Sequence, residues 1–133
     1  MASDKTIKSG GGQYFDAIGA ERAGTVFNID DPKKIRIVGV DADVPVEKYP
    51  HLYDPSTTTK PDERFVRSFL RRGMRDPVDV WRSPEHVFIA VGGRGRIIDM
   101  REVHRRLKEK GGEFLPPVRA KRWTAPANIE RSA

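Results

Sequence analysis

The chain has 133 residues with a formal net charge of +6, and 37% of the residues are hydrophobic. This length and composition favour one domain with a modest core. The apolar runs are far shorter than the roughly 20 residues of a membrane-spanning helix, and the first residues lack the order of a secretory signal, so we expect a cytoplasmic protein with no membrane partner. Cysteine is absent, which excludes disulfides, thiolate metal sites and thiol chemistry.

The first quarter of the chain predicts little regular structure. Residues 1–33 are rich in Gly, Ala, Asp and Lys without a sustained period, so we expect a flexible N-terminal arm with a short extended piece at 25–29. The folded domain is predicted over residues 34–123, and it begins with a strand at 34–40, where β-branched residues alternate with others. Three prolines within residues 44–55 then predict an ordered loop.

The first helix is predicted from its start and stop signals. Pro61 and the two acidic residues after it suit a first helical turn, and Gly73 suits the end. Val66, Phe69 and Leu70 have the spacing of a buried stripe. The same segment should therefore present its charged residues on the opposite face.

The second half of the chain predicts two strands, a helix and a last strand. The strands are expected at 77–82 and 87–91, the helix at 97–110 and the last strand at 118–122, followed by a tail at 124–133. With the preceding elements, this order predicts a small α/β (α+β) domain with a short mixed sheet and two main helices.

The turn between the second of these strands and its helix has the composition of a phosphate site. It reads Gly92-Gly93-Arg94-Gly95-Arg96. Glycine allows close approach of the backbone to a ligand, and the N–H groups at a helix start favour an anion. Two arginines can add charge-assisted hydrogen bonds to phosphate oxygens. The alternative interpretation is a tight turn with solvated arginines.

Basic residues are concentrated in one part of the sequence. Residues 92–122 contain ten Lys or Arg and four Asp or Glu, which accounts for the whole positive excess of the chain. Such a charge favours electrostatic, non-sequence-specific binding of DNA or another nucleic acid. The residues expected to take part are Arg101, Arg105, Lys108, Arg119, Lys121, Arg122 and Trp123, the last as a stacking platform.

The order of these motifs resembles the ParB N-terminal-like domain, whose fold is shared with sulfiredoxin. A helix ending in Arg-Arg-Gly-Met, a Pro-Val-x-Val strand, a strand into Gly-Gly-Arg-Gly-Arg, a basic helix and a strand after Pro-Pro carry the resemblance over residues 35–122. Gly92 and Gly93 match the glycines of the sulfiredoxin turn, and Arg96 matches its arginine. Arg94 stands in place of the reactive cysteine, which excludes sulfiredoxin chemistry.

The resemblance implies a stand-alone nucleotide-binding domain without a helix-turn-helix. The turn would grip the phosphates of a nucleoside triphosphate, CTP or ATP, with Mg²⁺, and Arg71 and Arg72 would complete the site from the first helix. The acidic residue that ParB-like turns carry is replaced by glycine. This favours a regulatory domain with little or no turnover.

Two other classes of function stay open at this point. A metal-dependent ParB-like nuclease or nucleotidase would need carboxylates near the ligand, for which Asp99 and Asp62 are weak candidates, although both also suit helix starts. A protein-interaction accessory module of a mobile element or bacteriophage is the other. The three histidines lack the spacing of a metal site, so no metal site is predicted, and His104 is expected on the surface.

Overall fold

The computed structural model describes residues 21–124, and their side chains from Val26 onward. These residues form a five-stranded mixed sheet and two α-helices, which confirms the predicted α+β class. Short 3₁₀ turns lie at Pro32–Lys34 and Pro50–Leu52. The main elements are β1 (Glu21–Ile29), β2 (Ile35–Arg36), α1 (Glu63–Arg72), β3 (Val78–Arg82), β4 (Phe88–Gly92), α2 (Arg94–Glu109) and β5 (Val118–Thr124).

The sheet has the strand order β1-β5-β3-β4-β2. The pairs β1/β5 and β3/β4 are antiparallel, whereas β3/β5 and β2/β4 are parallel. Strand β1 includes the extended piece predicted at 25–29 and begins at Glu21, so ordered structure precedes the predicted domain start at residue 34. Long-range pairing with β5 orders a segment whose own sequence is weakly patterned. Residues 1–20 of the predicted arm and 125–133 of the predicted tail lie outside the described residues.

Strand β2 is much shorter than the predicted strand at 34–40. The Ile37 N–H donates to Asp41 Oδ2 at 2.7 Å, and Gly39 adopts a φ of +83°, so the chain turns after Arg36. Ile37 and Val38 are nevertheless buried. The apolar residues that suggested a longer strand therefore reflect burial of a turn rather than sheet pairing.

Helix α1 ends before Gly73 as predicted but begins at Glu63, so Pro61 and Asp62 precede its first turn rather than lie in it. Asp62 is the N-cap, and its side chain accepts a hydrogen bond from the Arg64 N–H at 3.0 Å. Val66 and Phe69 are buried as expected, but Leu70 is 36% exposed. Phe69 and Met74 on either side of Leu70 in the sequence are buried in the core, but Leu70 itself is exposed, so its prediction as a buried residue is wrong.

Two apolar clusters cover the two faces of the sheet. The larger one packs both helices on residues such as Val78 and Val80. The smaller one packs the segment between β2 and α1 on Trp81 and Ile89, with the Trp81 ring edge-on to Tyr49 at a centroid distance of 5.4 Å. The sheet is thus covered on both sides, and neither helix of residues 21–124 is long and apolar enough to span a membrane.

The connection from β4 to α2 depends on a glycine. Gly93 has a φ of +79°, and a Cβ atom there would lie 2.7 Å from Val78 Cγ1. We therefore expect Gly93→Ala to lower the free energy of unfolding by about 1–3 kcal/mol, from backbone strain and overlap. Gly95→Ala is the matched control, because no heavy atom lies within 4 Å of its Cβ position. Urea unfolding of both variants is the measurement, and equal stability of the two would contradict this account.

Candidate functional site

The predicted strand-glycine-helix turn is present. Strand β4 ends at Gly92, Gly93 is the left-handed N-cap, and α2 begins at Arg94. Gly95 is exposed, with open space where a side chain would stand. The backbone at the start of α2 is therefore accessible, while the two arginine side chains turn toward the protein.

Arg94 connects the turn to the opposite face of the sheet. Its Nη2 donates to the carbonyl oxygen of Leu52 at 2.6 Å, and its side chain is 13% exposed. The Asp54 carboxylate lies 4.0 Å from Nη1. Burial lowers the pKa of the Arg94 guanidinium, and Asp54 partly offsets this. The Arg94 side chain holds the loop before α1 in place, and this structural role uses part of its hydrogen-bond donors.

Arg96 makes a similar connection on the other side of the turn. Its Nη1 donates to the carbonyl oxygens of Asp76 at 2.8 Å and Pro77 at 3.2 Å. These bonds hold the segment between α1 and β3 against the start of α2. Both arginines of the predicted phosphate turn, Arg94 and Arg96, are thus bonded to backbone oxygens of neighbouring loops.

The two acidic candidates also have structural partners. Asp99 is 4% exposed, and its Oδ1 accepts a hydrogen bond from the Asp62 N–H at 2.8 Å. Burial raises the pKa of the Asp99 carboxyl. Asp62 in turn caps α1. Within residues 21–124 no group of three or more His, Asp or Glu residues is placed to hold a metal ion.

Asp99 yields a prediction on stability. The raised pKa means that the folded state favours the neutral carboxyl, so its contribution to stability is full below the ordinary pKa of about 3.9 and declines as the pH rises through the folded value. Asp99→Asn keeps the acceptor without the charge and should be at least as stable at pH 7. Asp99→Ala leaves the Asp62 N–H unpaired and should cost about 1–3 kcal/mol. Urea unfolding distinguishes them, and a less stable Asn variant would contradict this interpretation.

Ion pairs use most of the arginines of α2. Arg101 is 17% exposed and bonds to the Ile35 carbonyl oxygen at 2.7 Å and to Asp41 Oδ2 at 2.8 Å. Arg105 bonds to Glu102 and Glu109 on its own helix. These two residues were predicted to bind nucleic acid, and the structure places their guanidinium groups against protein acceptors; their binding of nucleic acid stays a prediction.

The ion pairs of Glu102 with Arg105 and Arg106 make the stability of the protein depend on pH. Hydrogen bonds from Arg105 and then Arg106 lower the pKa of Glu102 from 4.5 to about 2. A lowered pKa gives stability that is full above the unfolded value and is lost as the pH falls through about 4.5 toward 2. Glu102→Gln should therefore reduce stability at pH 7 and lose less of it on acidification. Urea unfolding between pH 7 and 2 measures this, and parallel pH profiles of the two proteins would refute it.

Two residues that were predicted to be exposed are buried, so these predictions are wrong. Trp123 is 4% exposed on β5, beside its register partner Trp81, so its ring is not available to stack on bases. His104 is also 4% exposed, and its Nε2 lies 2.7 Å from the Pro116 carbonyl oxygen, to which it donates. Both residues hold the end of α2 and the last strand in the core.

The structure gathers three other predicted residues around one groove. Arg71 and Arg72 at the end of α1 and Arg119 on β5 are exposed and line a cavity of about 740 Å³. Leu70 and Phe114 line it as well, and Phe114 is 73% exposed. We call this the arginine groove. No residue of the Gly92–Arg96 turn lines it, so Arg71 and Arg72 line a different surface from the turn beside which the sequence predicted them.

The remaining predicted cations lie outside the arginine groove. Lys108 and Arg122 are exposed, and Lys121 is half-buried on β5. Lys108 lines a second cavity of about 320 Å³ together with Lys33 and His104. Sequence reasoning missed Phe114, because an isolated apolar residue in a Gly- and Pro-rich connection has no periodic pattern that would mark it.

Comparison of the chain with protein-family models and with curated proteins finds no match in either.

Proposed function

We propose that this protein binds nucleic acid through the arginine groove, by charge and without reading sequence. The observation that carries the proposal is the gathering of Arg71, Arg72 and Arg119 around a concave surface. Three guanidinium groups converging on a groove suit the regularly spaced phosphates of a nucleic acid backbone.

The charge of this groove is not neutralised by its lining. Among the described residues that line it there is no Asp or Glu, and none of its three arginines has an ion-pair partner within residues 21–124. The arginines of α1 that do have carboxylates nearby, Arg64 and Arg67, lie at the other end of the helix. Of the two halves of α1, the C-terminal one therefore presents positive charge that has no carboxylate partner within residues 21–124.

The resemblance to ParB-like domains supports a narrower proposal. In it, a nucleoside triphosphate, CTP or ATP, binds with Mg²⁺ at the Gly92–Arg96 turn of a cytoplasmic regulatory protein. The exposed Gly95 and the open space beside it favour this site. The existing bonds of Arg94 and Arg96 to carbonyl oxygens disfavour strong binding there, so we place the main activity at the groove.

The nuclease alternative has less support. Asp62 and Asp99, its candidate metal ligands, already bond to backbone N–H groups of α1 or its N-cap. Asp99 is also buried. Burial raises the pKa of its carboxyl and so disfavours the ionised form that binds a metal ion.

The proposal is tested by removing charge from the groove. Arg71→Ala/Arg72→Ala should lower affinity for DNA by about tenfold at low salt. It should also make the slope of log K against log salt shallower by about 1 to 2, because fewer counterions are released when the protein neutralises fewer phosphates. Binding is measured by fluorescence anisotropy with DNA of random sequence, and a second random sequence should bind equally well.

Arg64→Ala/Arg67→Ala is the matched control. It removes the same charge from the same helix, at side chains that are 81% and 64% exposed and lie outside the groove. We expect nearly unchanged affinity and slope. Equal loss in both double variants would show a response to net charge alone and would count against the groove, as would no binding of DNA by the original protein at low salt.

A further inference from the structure

We infer that the arginine groove selects unpaired strands, with bases seated on its apolar lining and phosphates on its arginines; this rests on the proposed function. The inference goes beyond charge, because the lining is of two kinds. Beside the three arginines lie apolar side chains of both helices, of the segment after α1 and of the connection before β5, including Leu70, Met74, Leu107, Phe114 and Pro116.

Phe114 is the central feature of this lining. It is 73% exposed, whereas every other phenylalanine described from Val26 onward is less exposed than that. A phenyl ring held in water gains by covering its face, and the face of a nucleobase is a suitable cover because every base has one. Leu70 on α1, which is 36% exposed, lines the same cavity.

The depth of the groove distinguishes a single strand from a duplex. Met74 is 6% exposed and Phe69 8%, so the apolar floor is recessed below the exposed arginines. In a duplex the base faces are covered by their neighbours in the stack, and only phosphates and groove edges reach a protein. A duplex would therefore meet the arginines and leave the floor uncovered, while a single strand can turn bases into it.

The size of the groove sets how much strand it takes. Its volume of about 740 Å³ falls in the range of about 300–1,000 Å³ that small-molecule sites have. A short stretch of one strand fits such a space, with neighbouring phosphates reaching Arg71 and Arg72 of α1 and Arg119 of β5. The three arginines then supply the charge complement, and Phe114 supplies the preference for unpaired bases.

The test compares an oligo-dT strand with a DNA duplex of equal length on the full chain. We expect the single strand to bind at least about fivefold more tightly. Phe114→Ala should remove this preference by weakening the strand alone, with the salt slope unchanged, and Phe114→Trp should restore it. Phe65→Ala is the matched control, since Phe65 is 49% exposed on α1 and does not line the groove. Circular dichroism of each variant checks the fold.

The outcomes separate this inference from the proposed function. If both DNA forms bind but the duplex binds equally well, or if Phe114→Ala leaves strand affinity unchanged, the inference is overturned and the electrostatic proposal stands. If neither form binds at low salt, both are overturned. Light scattering gives the remaining check, because a change of molar mass in Phe114→Ala would assign the groove to a second copy of the chain and overturn the inference.

Discussion

Helix α2 holds the rest of the molecule together through its polar side chains. Arg94 bonds to the loop before α1, Arg96 to the segment between α1 and β3, and His104 to the connection before β5. Asp99 accepts the N–H of the α1 cap, and Arg101 reaches β2. Each of these bonds satisfies a backbone group where regular structure ends, which is where a chain otherwise leaves donors and acceptors unpaired.

This arrangement explains why the cations in the most basic part of the sequence are not the ones most available to bind a ligand. The cations of α2 are abundant, but the helix uses many of them to bind carbonyl oxygens and carboxylates of its own fold. Arg106, for example, bonds to Glu63 across the two helices at 2.6 Å. Within residues 21–124, cations without an ion-pair partner include Arg71 and Arg72 at the C-terminal end of α1 and Arg119 on β5. The density of arginine in a sequence and the free charge of a surface are therefore different quantities.

The arginine groove follows from the same packing. Helix α1 is covered along Val66 and Phe69, whereas Leu70, Arg71 and Arg72 in its last turn are exposed. The connection between α2 and β5 returns beside that turn and brings Phe114 to it. An apolar floor with cationic walls results. Our functional proposal depends on this combination. Positive charge alone attracts any polyanion, whereas the exposed ring of Phe114 beside the recessed apolar floor favours flat, unpaired bases.

The sequence alone determined the features that depend on neighbours within a few residues. The end of α1 and the glycine turn into α2 were predicted correctly, because Gly73 and Gly93 act through local backbone angles and hydrogen bonds. The tertiary structure decided which arginines are free, that β1 joins the sheet, and that Trp123 and His104 are buried. Arg94 finds its acceptor 42 residues away and Arg101 finds Asp41 60 residues away. Such partners meet only when the chain folds, and no local pattern encodes them.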